Sequence, residues 1–266
     1  FQFSPHSGER FIFENDKVIP ASFINGYLKD ELPIFVYNRS NPLQKNTKPM
    51  SAGNKPVDYN NLKIEPDEYL LFAEREPKAL VYIKKMVGAS EMIYNLERYC
   101  LWLVAIEPSL LKSLPMVLKK VNACREARLN SKDLGARKLA DRPTQFRDLN
   151  NPSQYLCIPA VSSENRRYVP MRFFDKDVIP VMSVLYIENA TLYDFGILNS
   201  DTHMAWMRTV AGRLEMRYRY SKDIVYNNFP WPDPTTSQRV KIEQTAQAIL
   251  DARELYPEAS LADLYD

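Results

Sequence analysis

Nineteen prolines against only seven glycines punctuate this chain of 266 residues. Proline lacks an N–H and fixes its own φ, so it starts helices and ends strands but does not sit inside either. The chain must therefore fold as many short, proline-delimited segments, and its sixteen tyrosines add aromatic bulk to them. With 45% hydrophobic residues in 30.9 kDa, it can bury a real core as one large domain or two small ones. No apolar run approaches the 18 or so residues of a membrane span, and the start resembles no signal peptide. We therefore expect a soluble chain. It opens directly on a strand-like Phe1-Gln2-Phe3 rather than on Met, which suggests a piece of a longer polypeptide with a catalytic half elsewhere.

The pattern of residues gives an α+β reading. Residues 1–13 have apolar ends around a Pro5–Gly8 turn and read as β; Ile34-Phe35-Val36-Tyr37 reads as a short strand. The stretch from Asn38 to Leu62, rich in Asn, Pro and Lys, reads as a long loop carrying Lys45, Lys48 and Lys55. Pro66 and Pro77 start two short helices, the second running toward Met86. Tyr99 to Val104 reads as a strand, and Pro115 starts a helix through Arg128 with Val117, Val121 and Cys124 along one stripe and a basic opposite face. From Tyr155 the pattern is β again through Glu188, and Tyr193 to Leu198 is taken with it. A helix capped at Ser200 then carries Met204, Met207, Val210, Ala211 and Leu214 at helical spacing. Asn227 to Pro234 ends this unit. Ser237 caps a last helix whose Ile242, Ala246 and Ile249 face something apolar. The expected architecture is a mixed β-sheet recognition domain with flanking helices over residues 1–234 and a helical tail over 235–266.

Charge is unevenly spread although the net is only +2. Residues 118–147 hold nine cations (Lys119, Lys120, Arg125, Arg128, Lys132, Arg137, Lys138, Arg142, Arg147) against Glu126, Asp133 and Asp141; residues 243–266 sum to −5. A polyanion-facing surface with an acidic tail would look like this, as would solvated helix faces. Cys100, Cys124 and Cys157 share no CxxC spacing, and His6 and His203 are the only histidines, so no zinc site is expected. Three scattered cysteines fit a reducing cytoplasm and core packing.

Catalytic readings find little support. Pro66-Asp67 with Glu76-Pro77-Lys78 imitates a magnesium nuclease motif, but both acids lie in helix-like sequence rather than on adjacent strands. No GxSxG, GxGxxG or P-loop occurs. His203 lies on an amphipathic helix as a packed or capping residue, and His6 lies in a turn. Asn227-Asn-Phe-Pro-Trp231 is near the Asn-Pro-Pro-aromatic motif that holds an extruded adenine, with Phe in place of the first proline, and reads as structural. Basic and aromatic residues interleave more informatively. In an extended Arg217-Tyr218-Arg219-Tyr220 the arginines share one face and the tyrosines the other. Ser162-Ser163-Glu164-Asn165-Arg166-Arg167, between two strands, offers Arg for guanine, Asn for adenine and Glu for cytosine. Each is equally readable as a solvated turn.

One family carries these stretches in this order. Lys48-Pro-Met-Ser-Ala-Gly-Asn-Lys-Pro56, Glu97-Arg-Tyr-Cys-Leu-Trp102, Arg137-Lys-Leu-Ala140, Pro159-Ala-Val-Ser-Ser-Glu164, Arg167-Tyr-Val-Pro170 and Asn189-Ala-Thr-Leu-Tyr193 come first. His203-Met-Ala-Trp206, Gly212-Arg-Leu214, Tyr218-Arg-Tyr-Ser221, Asn227-Asn-Phe-Pro-Trp-Pro232 and Leu261-Ala-Asp-Leu-Tyr-Asp266 follow. The sequence resembles the C-terminal part of the MmeI-like DNA methyltransferases, fused restriction and modification enzymes of type IIG/IIL, over nearly its whole length. The resemblance implies a cytoplasmic target-recognition segment that reads double-stranded DNA for adenine-N6 methylation. It implies that S-adenosylmethionine and the Asn-Pro-Pro-Tyr motif belong to a methyltransferase domain of the same polypeptide, with no cofactor, metal or catalytic residue in this segment. Asp58-Tyr-Asn-Asn-Leu62 departs from the family's usual Asp-Gly-Gly-Asn.

Charge and motif position then nominate the DNA contacts. Lys48, Lys55, Arg137, Lys138, Arg217 and Arg219 are expected to set register on phosphates, and Asn54, Arg213, Tyr218 and Tyr220 are expected to contact DNA as well. Ser162, Ser163, Glu164, Asn165, Arg166 and Arg167, with the strand Ser183 to Glu188, are expected to read bases. The rival readings are a stand-alone specificity or interaction module and a magnesium-dependent nuclease centred on Asp67.

Overall fold

A computed structural model describes residues 8–25, 28–32 and 35–266. The strand expected at Phe1–Phe3, residues 5–7 of the expected turn, His6 and Ile34 lie outside these residues. The chain divides into two compact units, residues 1–38 and 39–266. The first holds a hairpin of β1 (Arg10–Glu14) and β2 (Lys17–Ala21). Asn15 and Asp16, both at positive φ (47° and 61°), form its two-residue loop, the geometry that matches strand twist. Phe35 to Tyr37 form no strand.

In the second unit the elements run β3 (Met50–Ala52), β4 (Lys63–Ile64), α1 (Pro66–Arg75), β5 (Ile83–Val87), α2 (Ala89–Tyr94), β6 (Tyr99–Leu101), α3 (Pro108–Lys112), α4 (Pro115–Leu129) and α5 (Leu134–Lys138). They continue with β7 (Gln154–Pro159), β8 (Val161–Ser162), β9 (Arg172–Asp175), β10 (Val178–Pro180), β11 (Val184–Glu188), α6 (Leu192–Leu198), α7 (Asp201–Val210), β12 (Gly212–Leu214), β13 (Arg217–Arg219), α8 (Thr236–Glu254) and α9 (Leu261–Tyr265). The prolines act as expected: Pro66, Pro77 and Pro115 open helical segments, and so does Pro108. The segment after Pro77 is one 3-10 stretch, and the chain extends again at Ile83.

Three sheets organise this unit: β3-β11-β7-β9, β10-β5-β6-β4 and β12-β13-β8. The run Tyr155 to Pro159 is wholly buried because alternate residues serve two cores. Leu156 and Ile158 join Phe195, Met204 and Tyr226 on one face; Tyr155 and Cys157 join Ile93, Tyr186 and Leu261 on the other. The second sheet packs Ile64, Leu101 and Ile179 against Phe72 of α1 and Val117 and Val121 of α4. Arg128, counted among the surface cations by sequence, is fully buried at the end of this helix.

Three sequence expectations need correction. Tyr193 to Leu198 is helix, not strand: Thr191 caps it in a box with Asp194, and burial of five of its seven residues erases the polar stripe that betrays a helix. The helix after Ser200 stops at Val210, and Leu214 belongs to β12. Thr235, not Ser237, caps α8, in a box with Gln238. The helix then packs on α6 so closely that a Cβ at Gly196 would lie 2.9 Å from Ile242.

Candidate nucleic-acid interface

The two stretches singled out for polyanion contact are neighbours. β13 pairs antiparallel with β8, Tyr218 opposite Ser162 and Arg219 opposite Val161, and Tyr220 N–H donates to Ala160 C=O at 2.9 Å. The sheet thus brings the Ser162 to Arg167 loop and the β12–β13 hairpin to one place.

The hairpin is short and exposed. Its pairs are Gly212–Arg219, Arg213–Tyr218 and Leu214–Arg217, closed over Glu215 and Met216 with Glu215 at φ 56°. Strand alternation puts Leu214, Arg217 and Arg219 on one face and Arg213 and Tyr218 on the other. Tyr218 is buried, and the Arg213 guanidinium covers its ring at 3.7 Å while donating to Met216 C=O. Arg217 and Arg219 point to solvent. Arg217 meets Glu215 at 3.3 Å, an exposed pair that a stronger anion can displace. Sequence reading missed Leu214 and Met216 as exposed apolar residues at the tip. The tip lacks the Asn-Gly signal of a two-residue hairpin, and helical spacing through Ala211 masked the turn.

In the loop, Glu164, Asn165 and Arg167 are exposed, while Ser162 and Arg166 are buried. The Arg166 side chain, 5% exposed, grips the Asp266 carboxylate with two bonds of 2.6 and 2.9 Å. Arg166 is therefore corrected from base reader to tether: its fork already holds a carboxylate. That contact raises the affinity of Arg166 for its proton and lowers the Asp266 pKa. Arg167 stays outward beside Asp201 at 3.4 Å, its carbonyl accepting from Arg208. The strand Ser183 to Glu188 is corrected too, since Val184 to Ile187 of β11 lie buried in mid-sheet.

Other nominated residues divide between fold and surface. Lys48 bonds Asp194 at 2.7 Å and Asn189 C=O at 2.6 Å, tying its loop to the start of α6. Asn54 is buried, its amide donating to Asn150 and Pro180 carbonyls and its oxygen accepting from Asn150 N–H. Tyr220 is buried with its hydroxyl 2.8 Å from His203 Nε2. Asn54, Tyr218, Tyr220 and Ser162 are thus buried, and Asn54 ties two other segments through their carbonyls. Lys55, Arg137 and Lys138 are exposed. Their loops converge on Arg128, whose guanidinium donates to the carbonyls of Pro56, Val57, Leu139, Arg142 and Gln145. Burial lowers the Arg128 pKa, and the five acceptors compensate that desolvation. Arg147 N–H donates to Lys55 C=O, so exposed Lys55, Lys138, Arg142 and Arg147 ride on segments fixed by one buried cation.

Nearby, Tyr59 and Asn60 take φ of 54° and 63° at the two positions where a glycine pair was the family habit. The departing loop keeps a left-handed backbone that Asn tolerates and Tyr adopts at a cost of roughly 1–2 kcal/mol. Tyr59 hydroxyl to Ser131 Oγ at 2.6 Å and Leu62 N–H to Asp58 at 2.9 Å hold it.

The catalytic look-alikes are structural. Glu76 is buried and accepts from Met116 and Val117 N–H groups, capping α4, while Asp67 lies in the first turn of α1. Asn227 is buried and donates to Arg39 C=O, with Phe229 edge-on to His203 at 4.5 Å. Burial holds His203 neutral by pushing its pKa down to about 3, and pushes Cys100 up to about 12 and Cys124 up to about 11. No described helix is long and apolar enough to cross a membrane.

Fold and site together define a recognition domain: one sheet presents a cationic hairpin and a polar loop, and the groups that imitate catalytic residues are helix caps and core. The family model for the MmeI target recognition domain matches residues 30–233, and that for the MmeI C-terminal domain matches residues 235–266. The chain belongs to this MmeI target-recognition family. It is 37% identical over 257 residues to DNA methyltransferase A of Bacillus subtilis (strain 168), a match that covers 96% of this chain and 29% of that relative. A solved structure of the type IIL restriction-modification enzyme MmeI in complex with DNA superposes with a TM-score of 0.89 at 40% identity, covering 98% of this chain and 36% of that one.

Proposed function

We propose that this chain is the DNA-sequence-reading segment of an S-adenosylmethionine-dependent DNA (adenine-N6) methyltransferase of a restriction-modification system. The observation that carries the reading is the junction of the Ser162 to Arg167 loop and the β12–β13 hairpin through the β8–β13 ladder. A hairpin is two strands wide, which the major groove admits. Arg217 and Arg219 stand on its outward face, where they meet base edges or flanking phosphates. Leu214 and Met216 offer apolar contact of the kind a thymine methyl takes. Glu164, Asn165 and Arg167 supply acceptors and donors beside them. Lys55, Arg137, Lys138, Arg142 and Arg147 provide the sequence-independent, salt-sensitive grip on phosphates. In this reading residues 1–234 serve recognition and residues 235–266 form the tail that braces α6.

The β5–α2 turn does not fit S-adenosylmethionine. A turn that cradles such a cofactor needs open space beside glycine; at Gly88, between β5 and α2, a Cβ would lie 2.5 Å from Ser183 Oγ and 2.6 Å from the Glu91 carboxylate. The cofactor and the flipped adenine belong in this reading to a catalytic portion of the same polypeptide.

Selection from randomised duplex DNA at two salt concentrations tests the reading. We expect a short sequence to be enriched. Arg217→Ala or Arg219→Ala should relax preference at one position, about 1–3 kcal/mol of discrimination. Lys138→Ala should weaken all sequences alike and reduce the salt slope by about one. Binding without enrichment would reject autonomous reading, and absence of binding would favour an interaction module.

A further inference from the structure

The Arg10–Ala21 hairpin is encoded locally, and among the described residues no third strand pairs with it. Its turn is well formed, yet a two-stranded hairpin alone is marginal in water. The register sets Phe11 opposite Pro20 and Phe13 opposite Val18 on one face, with no charge among them. Phe13 is 77% and Val18 57% exposed. The opposite face has a single Ile12–Ile19 pair flanked by Glu14–Lys17 and Arg10–Ala21, the amphipathic arrangement of a solvated side.

The hairpin's edges are unequal as well. Across a two-residue loop Glu14–Lys17 is the hydrogen-bonded pair, and alternation makes Phe13–Val18 and Phe11–Pro20 the non-hydrogen-bonded ones, with backbone groups directed outward. The outer edge of β2 therefore lacks a donor at Pro20, whereas that of β1 offers complete N–H and C=O pairs at Phe11 and Phe13. Among the described residues the hairpin thus has one apolar face and one unpaired edge, which fit addition to a sheet.

We propose that this hairpin is the interaction surface for the catalytic portion of a DNA methyltransferase polypeptide: β1 joins that portion's sheet as a strand, and the Phe11, Phe13, Val18 face packs onto its core. This rests on the functional reading above. The occupant follows from where the matches fall. The target-recognition model begins at residue 30, after the hairpin, while the methyltransferase relative matches 96% of the chain and so extends into it, with most of that relative's length outside the match. A nucleic-acid occupant is disfavoured because the face carries no cation.

Hydrogen exchange at amides 10–21, compared between the 266-residue chain and the full-length natural polypeptide, tests the proposal. We expect at least tenfold slower exchange at Phe11 and Phe13 in the full-length protein; equally fast exchange in both overturns it. Protection already present in the 266-residue chain, with a dimer in sedimentation, also overturns it, since the occupant is then a second copy. In the full-length protein, Phe13→Asp with Val18→Asp should lower methyl transfer at least tenfold while the selected DNA sequence stays the same; unchanged methyl transfer overturns the proposal. If the unsubstituted protein selects no DNA sequence, the functional reading fails, and the exchange result still decides the hairpin.

Discussion

A hairpin of five residue pairs and one of three carry different surfaces. The Arg10–Ala21 hairpin shows Phe11, Phe13 and Val18 to solvent, while the Gly212–Arg219 hairpin shows Arg217 and Arg219. The second is also built into a core: β8 pairs with it, and Tyr218 is buried under it beside Tyr220. Asn15 and Asp16 spell out the turn of the first, whereas the second closes over Glu215 and Met216 without such a signal and is anchored by β8 and the core. A cationic ribbon anchored in a core suits a polyanion whose own groove is preformed, whereas an exposed apolar ribbon suits a protein surface that completes it.

The largest expected effect tests this difference directly. Tyr218→Ala removes a buried ring and the platform of Arg213, and should destabilise residues 39–266 by about 3 kcal/mol or more in denaturant unfolding. Phe13→Ala, the matching truncation in the exposed hairpin, should change the stability of the 266-residue chain by no more than about 0.5 kcal/mol. Equal costs for the two would erase the contrast.

Next in size is the tether behind the reading loop. Asp266→Ala leaves the buried Arg166 guanidinium with Tyr94 but no carboxylate, whereas Arg166→Ala leaves a carboxylate that is half exposed and can return to water. We expect losses of about 1–2 kcal/mol, the asparate substitution the larger, and a double variant no worse than the worse single. Sequence selectivity should survive Arg166→Ala, and a relaxed base would restore it as a reader.

How much was legible follows from the same residues. Prolines announced the helix starts at Pro66 and Pro115, and chain order of motifs announced the family. Composition located cations but not their directions: Arg166 and Arg128 look like surface charges in sequence and are held inside by Asp266 and five carbonyls, while half-buried Lys48 is bound by Asp194. Helix α6 was missed because a nearly fully buried helix has no polar stripe, although Thr191 and Asp194 form a readable capping box. The junction of β8 with β13 joins residues more than fifty positions apart, and no local pattern encodes it.

The smallest effect concerns pH and the core behind the cationic hairpin, where His203 is buried. His203 Nε2 lies 2.8 Å from the Tyr220 hydroxyl, and desolvation holds its pKa at about 3. The unfolded chain binds that proton near pH 6.5, so the folded state binds fewer protons between pH 3 and 6.5. Stability from this residue is thus complete above pH 6.5 and declines as pH falls, by about 1 kcal/mol from pH 6.5 to 5.5. His203→Asn should lower stability at neutral pH yet flatten this acid limb, measured as the slope of unfolding free energy against pH. An unchanged slope would assign the acid loss to other groups and leave His203 as packing alone.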